Sequence, residues 1–444
     1  MKGDEFEWLL GVPFGPKPTE DKAMKRVQEK FNGKLRIWQG WPLTIFGRAM
    51  VGNMSMLSHI WRASQFIPDI PVIQPGKKKP KSIWHPFYSA YWKYVQPGNF
   101  KGKFSYDTAA KRKREGGIGA IQPLVEIQAL KAHWMVRMLA NKNNDESWAQ
   151  LMWLDFNQVA KQYKVKNPKD NQAWKSVNIQ VYTLMEDIIK CWIQCNVMIV
   201  EEANNELKWI AEDGTHKSLA QLTVKALYNR LKTPKVAKNK AWEEITVEEW
   251  KTRWLFIAGV KHLAPRDRQL RFRIQQSKLW CGPNRGSTHQ PIPICPICNR
   301  QETETDHPLT TECCLTNVVF KSLSQLWLEW TGNIWNEEEW NRDWIDVSTP
   351  HRNQLDMMMI TAKRFIYHNY LQVVHNEVVP MDAIGMLAKT LGTMRYKIKA
   401  ITWMCNSTED QNIDGWDLQG NWALFDIESN KWIAIEDSLA LKKS

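Results

Sequence analysis

Apolar residues recur at three- and four-residue steps along most of the chain, which is the spacing of one face of an α-helix. Ala23, Val27, Phe31, Leu35 and Trp38 form the first such stripe. Similar helical stretches lie at about 43–66, 124–139, 145–232, 247–280 and 318–404. The pattern therefore predicts a mainly α-helical protein.

Two stretches have more specific patterns. Residues Asn421 to Glu436, with the sequence NWALFDIESNKWIAIE, alternate between apolar and polar side chains and predict a small β-hairpin near the C-terminus. A helix is predicted from Leu184 to Val200, with Cys191 and Cys195 on its apolar face as core residues.

Glycine, proline and lysine concentrate between these helices, so they mark boundaries between regions. Paired glycines at Gly116 and Gly117 follow a basic run and predict a tight turn with positive φ. These boundaries divide the chain into five regions. They are a helical region at 1–72, a basic connector with a Gly-Gly turn and a helix at 73–150, a helical linker at 151–285, a cysteine-rich module at 286–330 and a C-terminal helical region at 331–444.

The net charge adds information about the partner, because a strongly basic chain is expected to bind a polyanion. The chain has 60 Lys and Arg against 47 Asp and Glu, giving +13 and an isoelectric point of about 9.2. Its most apolar stretch, Cys191 to Val200, is interrupted by Gln194 and Asn196, whereas a membrane span needs roughly twenty apolar residues. Nucleic acid is therefore favoured over a membrane or a small-molecule substrate, and the first residues show no secretory signal.

Candidate chemistry concentrates in one short segment. Cys295, Cys298, His307 and Cys313 form the pattern C-x2-C-x8-H-x5-C. Zinc takes four sulfur and nitrogen ligands in closed structural sites, and three cysteines with one histidine are a standard set. The spacing therefore predicts one Zn²⁺ that stabilises the fold and has no open position for catalysis.

Neighbouring residues leave alternatives around this site. Cys314 adjoins Cys313 and competes with it for the fourth position, although Cys313 is favoured. Cys281 and His289 are further candidate ligands, but solvated loop positions are the expectation for both. Asp306 is the candidate for orienting His307 through a hydrogen bond.

Several passages, in the same order along residues 9 to 330, resemble the C-terminal part of a non-LTR (LINE-type) retrotransposon reverse transcriptase. The resemblance covers the thumb, the connector after it and the zinc-binding domain of that family. It is carried by Leu10–Gly15 (LGVPFG), Lys34–Trp38 with Leu43–Arg48, Trp84, Glu115–Gly119 with Gln128–Leu130 and Trp134, Asp213-Gly214 with Val224–Tyr228, and the cysteine cluster with Glu302-Thr303.

The resemblance implies a thumb-like helical bundle at 1–72, binding to RNA or DNA, and a location in the nucleus or in a cytoplasmic ribonucleoprotein. It does not extend to polymerisation. The chain contains no Asp-Asp pair, and two-metal nucleotidyl transfer needs such carboxylates. We therefore expect no enzymatic activity. The gap between His307 and Cys313 is one residue longer than in that family.

Basic residues near these motifs are the candidate phosphate contacts, although a solvated surface explains the residues before the zinc module and the runs at 77–81 and 111–114 about as well. Arg268, Arg271 and Lys278 are predicted to lie near one side of a helix before the zinc module. The other candidates are Lys34, Arg36 and Arg48 in the thumb-like region, Lys111, Arg112, Lys113 and Arg114 before the glycine turn, and the run at 77–81.

Three interpretations remain open at this point. The first is a retroelement fragment that binds the element's RNA or its target DNA. The second is a host-adopted zinc protein that binds nucleic acid or a protein partner. The third is a decayed reading frame without activity.

Overall fold

The computed structural model describes most of the chain. The described residues are 7–9, 12–14, 20–71, 81–97, 104–141, 146–166, 168–169, 171–201, 207–211, 213–232, 246–259, 263–281, 293–302, 307–346, 348–349, 351–375, 379–407, 423–426 and 431–434. The predicted basic run at 77–80, His289 and Asp306 lie outside these residues.

The predicted mainly helical fold is confirmed, and the chain divides into two compact units. Unit 1 comprises residues 1–98, 105–113 and 117–237. Unit 2 comprises 99–104, 114–116 and 238–444, so the cysteine-rich segment and the C-terminal helices share one unit.

Unit 1 is built from nine α-helices in its described part, with two small antiparallel sheets. Its helices are α1 (Glu20–Gln39), α2 (Ile45–Val51), α3 (Ser58–Ser64), α4 (His85–Val95), α5 (Tyr106–Ala109), α6 (Pro123–Ala140), α7 (Ser147–Gln162), α8 (Leu184–Gln194) and α9 (Val224–Leu231). Its strands are β1 (Glu7–Leu9), β2 (Val12–Phe14), β3 (Ile199–Glu201), β4 (Leu207–Ile210) and β5 (His216–Ser218).

The helix boundaries follow local chemistry. The predicted stripe lies in α1, where Ala23, Val27 and Phe31 are buried. Helix α8 begins with a capping box, in which the Thr183 hydroxyl accepts from the Glu186 N–H and the Glu186 carboxylate accepts from the Thr183 N–H. Such reciprocal bonds satisfy two N–H groups that a helix start leaves unpaired.

A π-helical turn at Gly52–Met56 joins α2 to α3 and fixes the segment before α6. Asn53 donates to the Gly119 carbonyl at 2.9 Å, and its own side-chain oxygen accepts from Tyr91 Oη and from the Ile121 N–H. Gly52 is required here because a Cβ would lie 2.6 Å from the Tyr91 ring. The predicted positive φ is found at Gly116, with φ of 83°.

The helix predicted from Leu184 to Val200 is too long. Helix α8 ends at Gln194, Asn196 has a positive φ of 48°, and Ile199 begins strand β3. Strands β3, β4 and β5 form an antiparallel sheet within 145–232, a region that the apolar pattern predicts to be helical. Strand pairing depends on contacts distant in sequence, so a helical spacing over a few residues does not exclude it.

In unit 2, the described helices between residues 265 and 407 pack around one apolar core that includes the cysteine-rich segment. The predicted hairpin near the C-terminus is present, with β6 and β7 antiparallel. The elements are α10 (Val247–Gly259), α11 (Pro265–Gln275), α12 (Cys314–Thr331), α13 (Glu337–Arg342), α14 (Arg352–Val374), α15 (Ala383–Ser407), β6 (Ala423–Asp426) and β7 (Lys431–Ala434).

Candidate metal centre

The first two cysteines sit on a tight turn closed by backbone hydrogen bonds. The Cys295 N–H donates to the Arg300 carbonyl at 2.8 Å, and the Asn299 N–H donates to the Cys295 carbonyl at 2.9 Å. Asn299 has a φ of 57°, a left-handed conformation that asparagine tolerates better than most residues. The turn brings the Cys295 and Cys298 sulfurs to the same side of the chain.

The other two candidate ligands come from the start of α12 and the turn before it. His307 begins a 3₁₀ turn, His307–Leu309, and Cys313 is the N-cap residue of α12. Thr316, in the first turn of α12, donates its hydroxyl to the Pro308 carbonyl at 2.6 Å. This bond ties the histidine turn to the helix that carries the last cysteine.

These elements bring three sulfurs together. The Sγ atoms of Cys295, Cys298 and Cys313 all lie within 4.8 Å of one another, and the cluster could hold a metal ion. His307 Nε2 is 3.4 Å from the Cys298 Sγ. With bonds to zinc of about 2.3 Å for sulfur and 2.0–2.1 Å for nitrogen, a tetrahedral geometry separates sulfur and nitrogen by about 3.5 Å. His307 therefore lies at this separation from the Cys298 sulfur, whereas, among the described residues, the cluster within 4.8 Å contains the three cysteines alone.

Backbone N–H groups lie close to the sulfurs of Cys295 and Cys298. Cys295 accepts from the N–H groups of Cys298 and Ile297, and Cys298 accepts from that of Arg300. Cys313 lies at the start of α12, where the helix dipole favours negative charge. Such donors stabilise the thiolate form that binds metals.

The pKa values of the Cys295 and Cys313 thiols are shifted in opposite directions. The Cys295 thiol donates a hydrogen bond to Cys313, which lowers the pKa of Cys313 below its usual value. The same hydrogen bond, with burial adding to it, raises the pKa of Cys295 to about 12. Of these two thiols, Cys313 is therefore the one that loses its proton more easily.

Glu312 is the carboxylate that orients the histidine. His307 Nδ1 lies 3.2 Å from a Glu312 carboxylate oxygen, which leaves Nε2 to face the sulfurs. Asp306, which the sequence predicts to orient His307, lies outside the described residues. The overlooked signal was an acidic residue directly before the last cysteine.

The competing cysteines do not join the cluster. Cys313 is buried among the sulfurs, whereas Cys314 is exposed on the first turn of α12. This placement favours Cys313 over Cys314. Cys281 is fully buried in the core of unit 2, so the expectation of a solvated loop position was wrong for it.

The segment is anchored to the helices of unit 2. Glu302, between the second cysteine and the histidine, accepts the Tyr370 hydroxyl of α14 at 2.8 and 3.0 Å. Trp340 of α13 donates its Nε1–H to the Leu309 carbonyl at 2.9 Å. A metal bound here would therefore stabilise the packing of α12, α13 and α14 as well as its own loops.

The candidate phosphate contacts differ in exposure. Lys34 and Arg36 on α1 are exposed, as are Arg112, Lys113 and Arg114, whereas Lys111 is half-buried. Arg48 is half-buried, and its guanidinium donates to the carbonyls of Leu43 and Tyr94 in unit 1. These contacts explain Arg48 as a residue that positions α2 beside α4.

The expectation for Arg271 is contradicted by its burial. Its side chain is 0% exposed, with Nε 3.2 Å from Asp343 and Nη1 2.5 Å from Asp356. Burial lowers the pKa of Arg271, but the two aspartates outweigh it and hold the pKa above the ordinary value. Because the charge is neutralised inside the core, Arg271 cannot contact a phosphate at the surface.

The predicted alignment with Lys278 also fails. Helix α11 ends at Gln275, so Lys278 lies beyond the helix and does not share a face with Arg268. Both Arg268 and Lys278 are half-buried, and burial lowers the pKa of Lys278. Residues 266–278 therefore present less positive charge than their sequence indicates.

Comparison with known proteins leaves the family open. No protein-family model matches the chain, and no curated protein matches it. Among the described helices, none combines the length and apolar character needed to cross a membrane.

Proposed function

We propose that this chain is a nucleic-acid-binding, zinc-binding protein, equivalent to the C-terminal part of a LINE-type reverse transcriptase without the polymerase active site. The observation that carries the proposal is the convergence of three buried or half-buried sulfurs, with His307 beside them. Among common metals, a site with three thiolates and one imidazole favours zinc.

The ion would have a structural role. The ligand set is complete with Cys295, Cys298, His307 and Cys313, so no position remains for a reactive water. The thiolates and the imidazole would hold the ion, while Glu312 orients the imidazole. Metal binding would then contribute directly to the stability of unit 2.

Nucleic-acid binding is supported by the net charge of +13 and by exposed basic side chains. We assign the contacts to the exposed residues Lys34 and Arg36 on α1 and to the run Arg112–Arg114, and we exclude Arg271. Such residues contact phosphates and confer little sequence preference. The partner is RNA or DNA, in the nucleus or in a cytoplasmic ribonucleoprotein.

The binding proposal is tested by the salt dependence of affinity for a duplex. Lys34→Glu with Arg36→Glu should weaken binding and reduce the slope of log affinity against log salt by about 0.9 for each lost phosphate contact. The matched control is Lys161→Glu with Lys175→Glu, which makes the same charge change at exposed positions elsewhere in unit 1. Equal slopes for the two variants would refute the assignment to α1.

A further inference from the structure

A tryptophan lies exposed on the turn that follows α1. Trp41 comes two residues after the end of α1 and is 55% exposed, although tryptophan is among the side chains with the most apolar area to bury. Its ring contacts that of half-buried Trp38, in the last turn of α1, with the ring centroids 5.9 Å apart. More than half of Trp41 therefore stays open to solvent.

The turn that carries this ring is held in place by hydrogen bonds. The Trp41 N–H donates to the Trp38 carbonyl at 3.3 Å, and the Trp41 carbonyl accepts from the Leu43 N–H at 2.7 Å. The Arg48 guanidinium donates to the same carbonyl at 3.4 Å. Trp38 is itself fixed, because its Nε1–H donates to the Ser55 hydroxyl oxygen at 3.2 Å. A partner that binds on the Trp41 ring would therefore lose little free energy in ordering the turn.

Positive charge lies along the same side of α1. Lys34 is exposed and lies four residues before Trp38, so the two side chains share one face of the helix. His59 of α3 lies in the field of this charge. Burial lowers the pKa of His59, and the positive charges of Lys34 and Lys30 lower it further. Lysines and indole rings therefore follow one line along this surface of unit 1.

Three elements packed against α1 carry no acidic residue. They are the π-helical turn, α3 and α4. Within α1, every acidic residue precedes Lys30. The sequence from Lys30 to Pro68 contains no aspartate or glutamate, and its basic residues are Lys30, Lys34, Arg36, Arg48 and Arg62. The surface around Lys34 and Trp41 is therefore basic as well as aromatic, which favours a polyanion as the partner.

Single-stranded nucleic acid is a polyanion that also offers aromatic faces. Its phosphates can contact Lys34 while an unpaired base stacks on Trp41. In a duplex, neighbouring base pairs cover both faces of each base, so an aromatic side chain stacks on bases that are unpaired. An anionic membrane would supply negative charge but no ring to stack on Trp41. The order of lysines and rings along one line also matches a strand, in which phosphates and bases follow one another.

We propose that Trp41 binds single-stranded nucleic acid by stacking on an unpaired base, while Lys34 contacts the adjoining phosphates. The inference rests on the proposed nucleic-acid binding and names the form of nucleic acid that this part of unit 1 recognises. Because every base has an aromatic face, the stacking should confer little sequence preference.

Fluorescence anisotropy with the full chain and three fluorescein-labelled probes tests the proposal. The probes are oligothymidylate, the same strand with abasic sites in place of its thymidines, and a duplex of equal length. Trp41→Ala should weaken binding of oligothymidylate by about tenfold, which is within the range for one base stacked on an aromatic side chain. It should leave the affinities for the abasic strand and the duplex unchanged, because neither offers an unpaired base.

Two further variants separate stacking from charge. Trp41→Phe should retain most of the affinity for oligothymidylate, because phenylalanine keeps an aromatic face. Lys34→Glu should weaken binding of all three probes, since each of them carries phosphates.

Matched controls distinguish these effects from general ones. Tyr182→Ala removes an aromatic side chain that is 68% exposed elsewhere in unit 1, and Lys161→Glu reverses an exposed charge on α7. Both should leave the three affinities near those of the unaltered chain.

The proposal is overturned if Trp41→Ala binds oligothymidylate as tightly as Tyr182→Ala, or if it loses affinity for the abasic strand equally. It is also overturned if Lys34→Glu binds the probes as tightly as Lys161→Glu. A Trp41→Ala variant that loses binding only to vesicles of phosphatidylserine and phosphatidylcholine would assign the surface to a membrane instead. Failure of the proposed function gives a different result, in which the unaltered chain binds none of the three probes, and that result would overturn both proposals.

Discussion

Replacing Arg271 with methionine should destabilise unit 2 strongly, because it leaves two buried carboxylates without their guanidinium partner. Asp343 keeps a contact with Lys363 at 3.3 Å. Asp356 loses the partner that lies 2.5 Å away. Removing one member of a buried ion pair typically costs about 3–5 kcal/mol.

A second route to this magnitude uses protonation. The folded variant can avoid a buried charge by protonating Asp356, whose pKa burial already raises above the ordinary value for an aspartate. Protonating such a group at pH 7 costs about 4 kcal/mol, since each pH unit corresponds to about 1.36 kcal/mol. In the variant, the folded-state pKa lies above the unfolded value, so stability is regained as pH falls. At pH 5 the cost should be only about 2 kcal/mol.

Urea unfolding followed by tryptophan fluorescence measures the change in the free energy of unfolding. Hydrogen exchange of peptides from α11 and α14 then assigns the change to unit 2, since two units need not unfold together. The control is Arg266→Met, an exposed arginine on the same helix, which should change stability by less than about 0.5 kcal/mol. A loss below about 1 kcal/mol for Arg271→Met, or an equal loss at pH 5 and pH 7, would refute the reasoning.

Three further predictions concern other buried or metal-binding groups. Lys131→Met should destabilise unit 1 by about 3–5 kcal/mol in urea unfolding, because buried Asp187 loses its ammonium partner. Glu312→Gln should weaken zinc binding by about tenfold in chelator competition, because Nδ1 of the ligand histidine loses a charged acceptor. Alkylation at pH 8 followed by peptide mass spectrometry should label exposed Cys314 first and spare Cys195, because burial raises the pKa of Cys195 to about 12.

The first two of these have a matched control, and all three have a contrary outcome. Lys161→Met, at an exposed site of α7, should leave the stability of unit 1 unchanged, and equal stability of the Lys131 variant would argue against the buried pair. Glu338→Gln should leave zinc affinity unchanged, and an unaltered affinity in the Glu312 variant would remove its positioning role. Labelling of Cys195 as fast as Cys314 would show that α8 does not protect it.

The helices could be predicted where burial follows local periodicity. Ala23, Val27 and Phe31 lie one turn apart, so the stripe alone identifies the buried face of α1. Strands β3 to β5 escaped prediction because their registers depend on pairing between separate segments, such as Ile199 with Trp209. No window of a few residues contains that information.

The candidate metal centre was likewise predictable where its residues lie close together in sequence, whereas contacts between distant residues were not. Its cysteines are close in sequence, so ligand spacing identified them. Arg271 was misassigned because its partners Asp343 and Asp356 lie 72 and 85 residues further along the chain. The sequence of a basic helix does not show whether an arginine faces solvent or pairs with a buried carboxylate. Only the folded structure distinguishes an exposed arginine from a buried one.

The central claim is one structural zinc ion bound by Cys295, Cys298, His307 and Cys313. Elemental analysis of the purified full chain by mass spectrometry tests it most directly. We expect one zinc per chain, retained in Cys314→Ser, which changes an exposed neighbour outside the cluster. Cys298→Ser should lose the zinc. Full zinc content in Cys298→Ser, or none in the unaltered chain purified without chelators, would contradict the account.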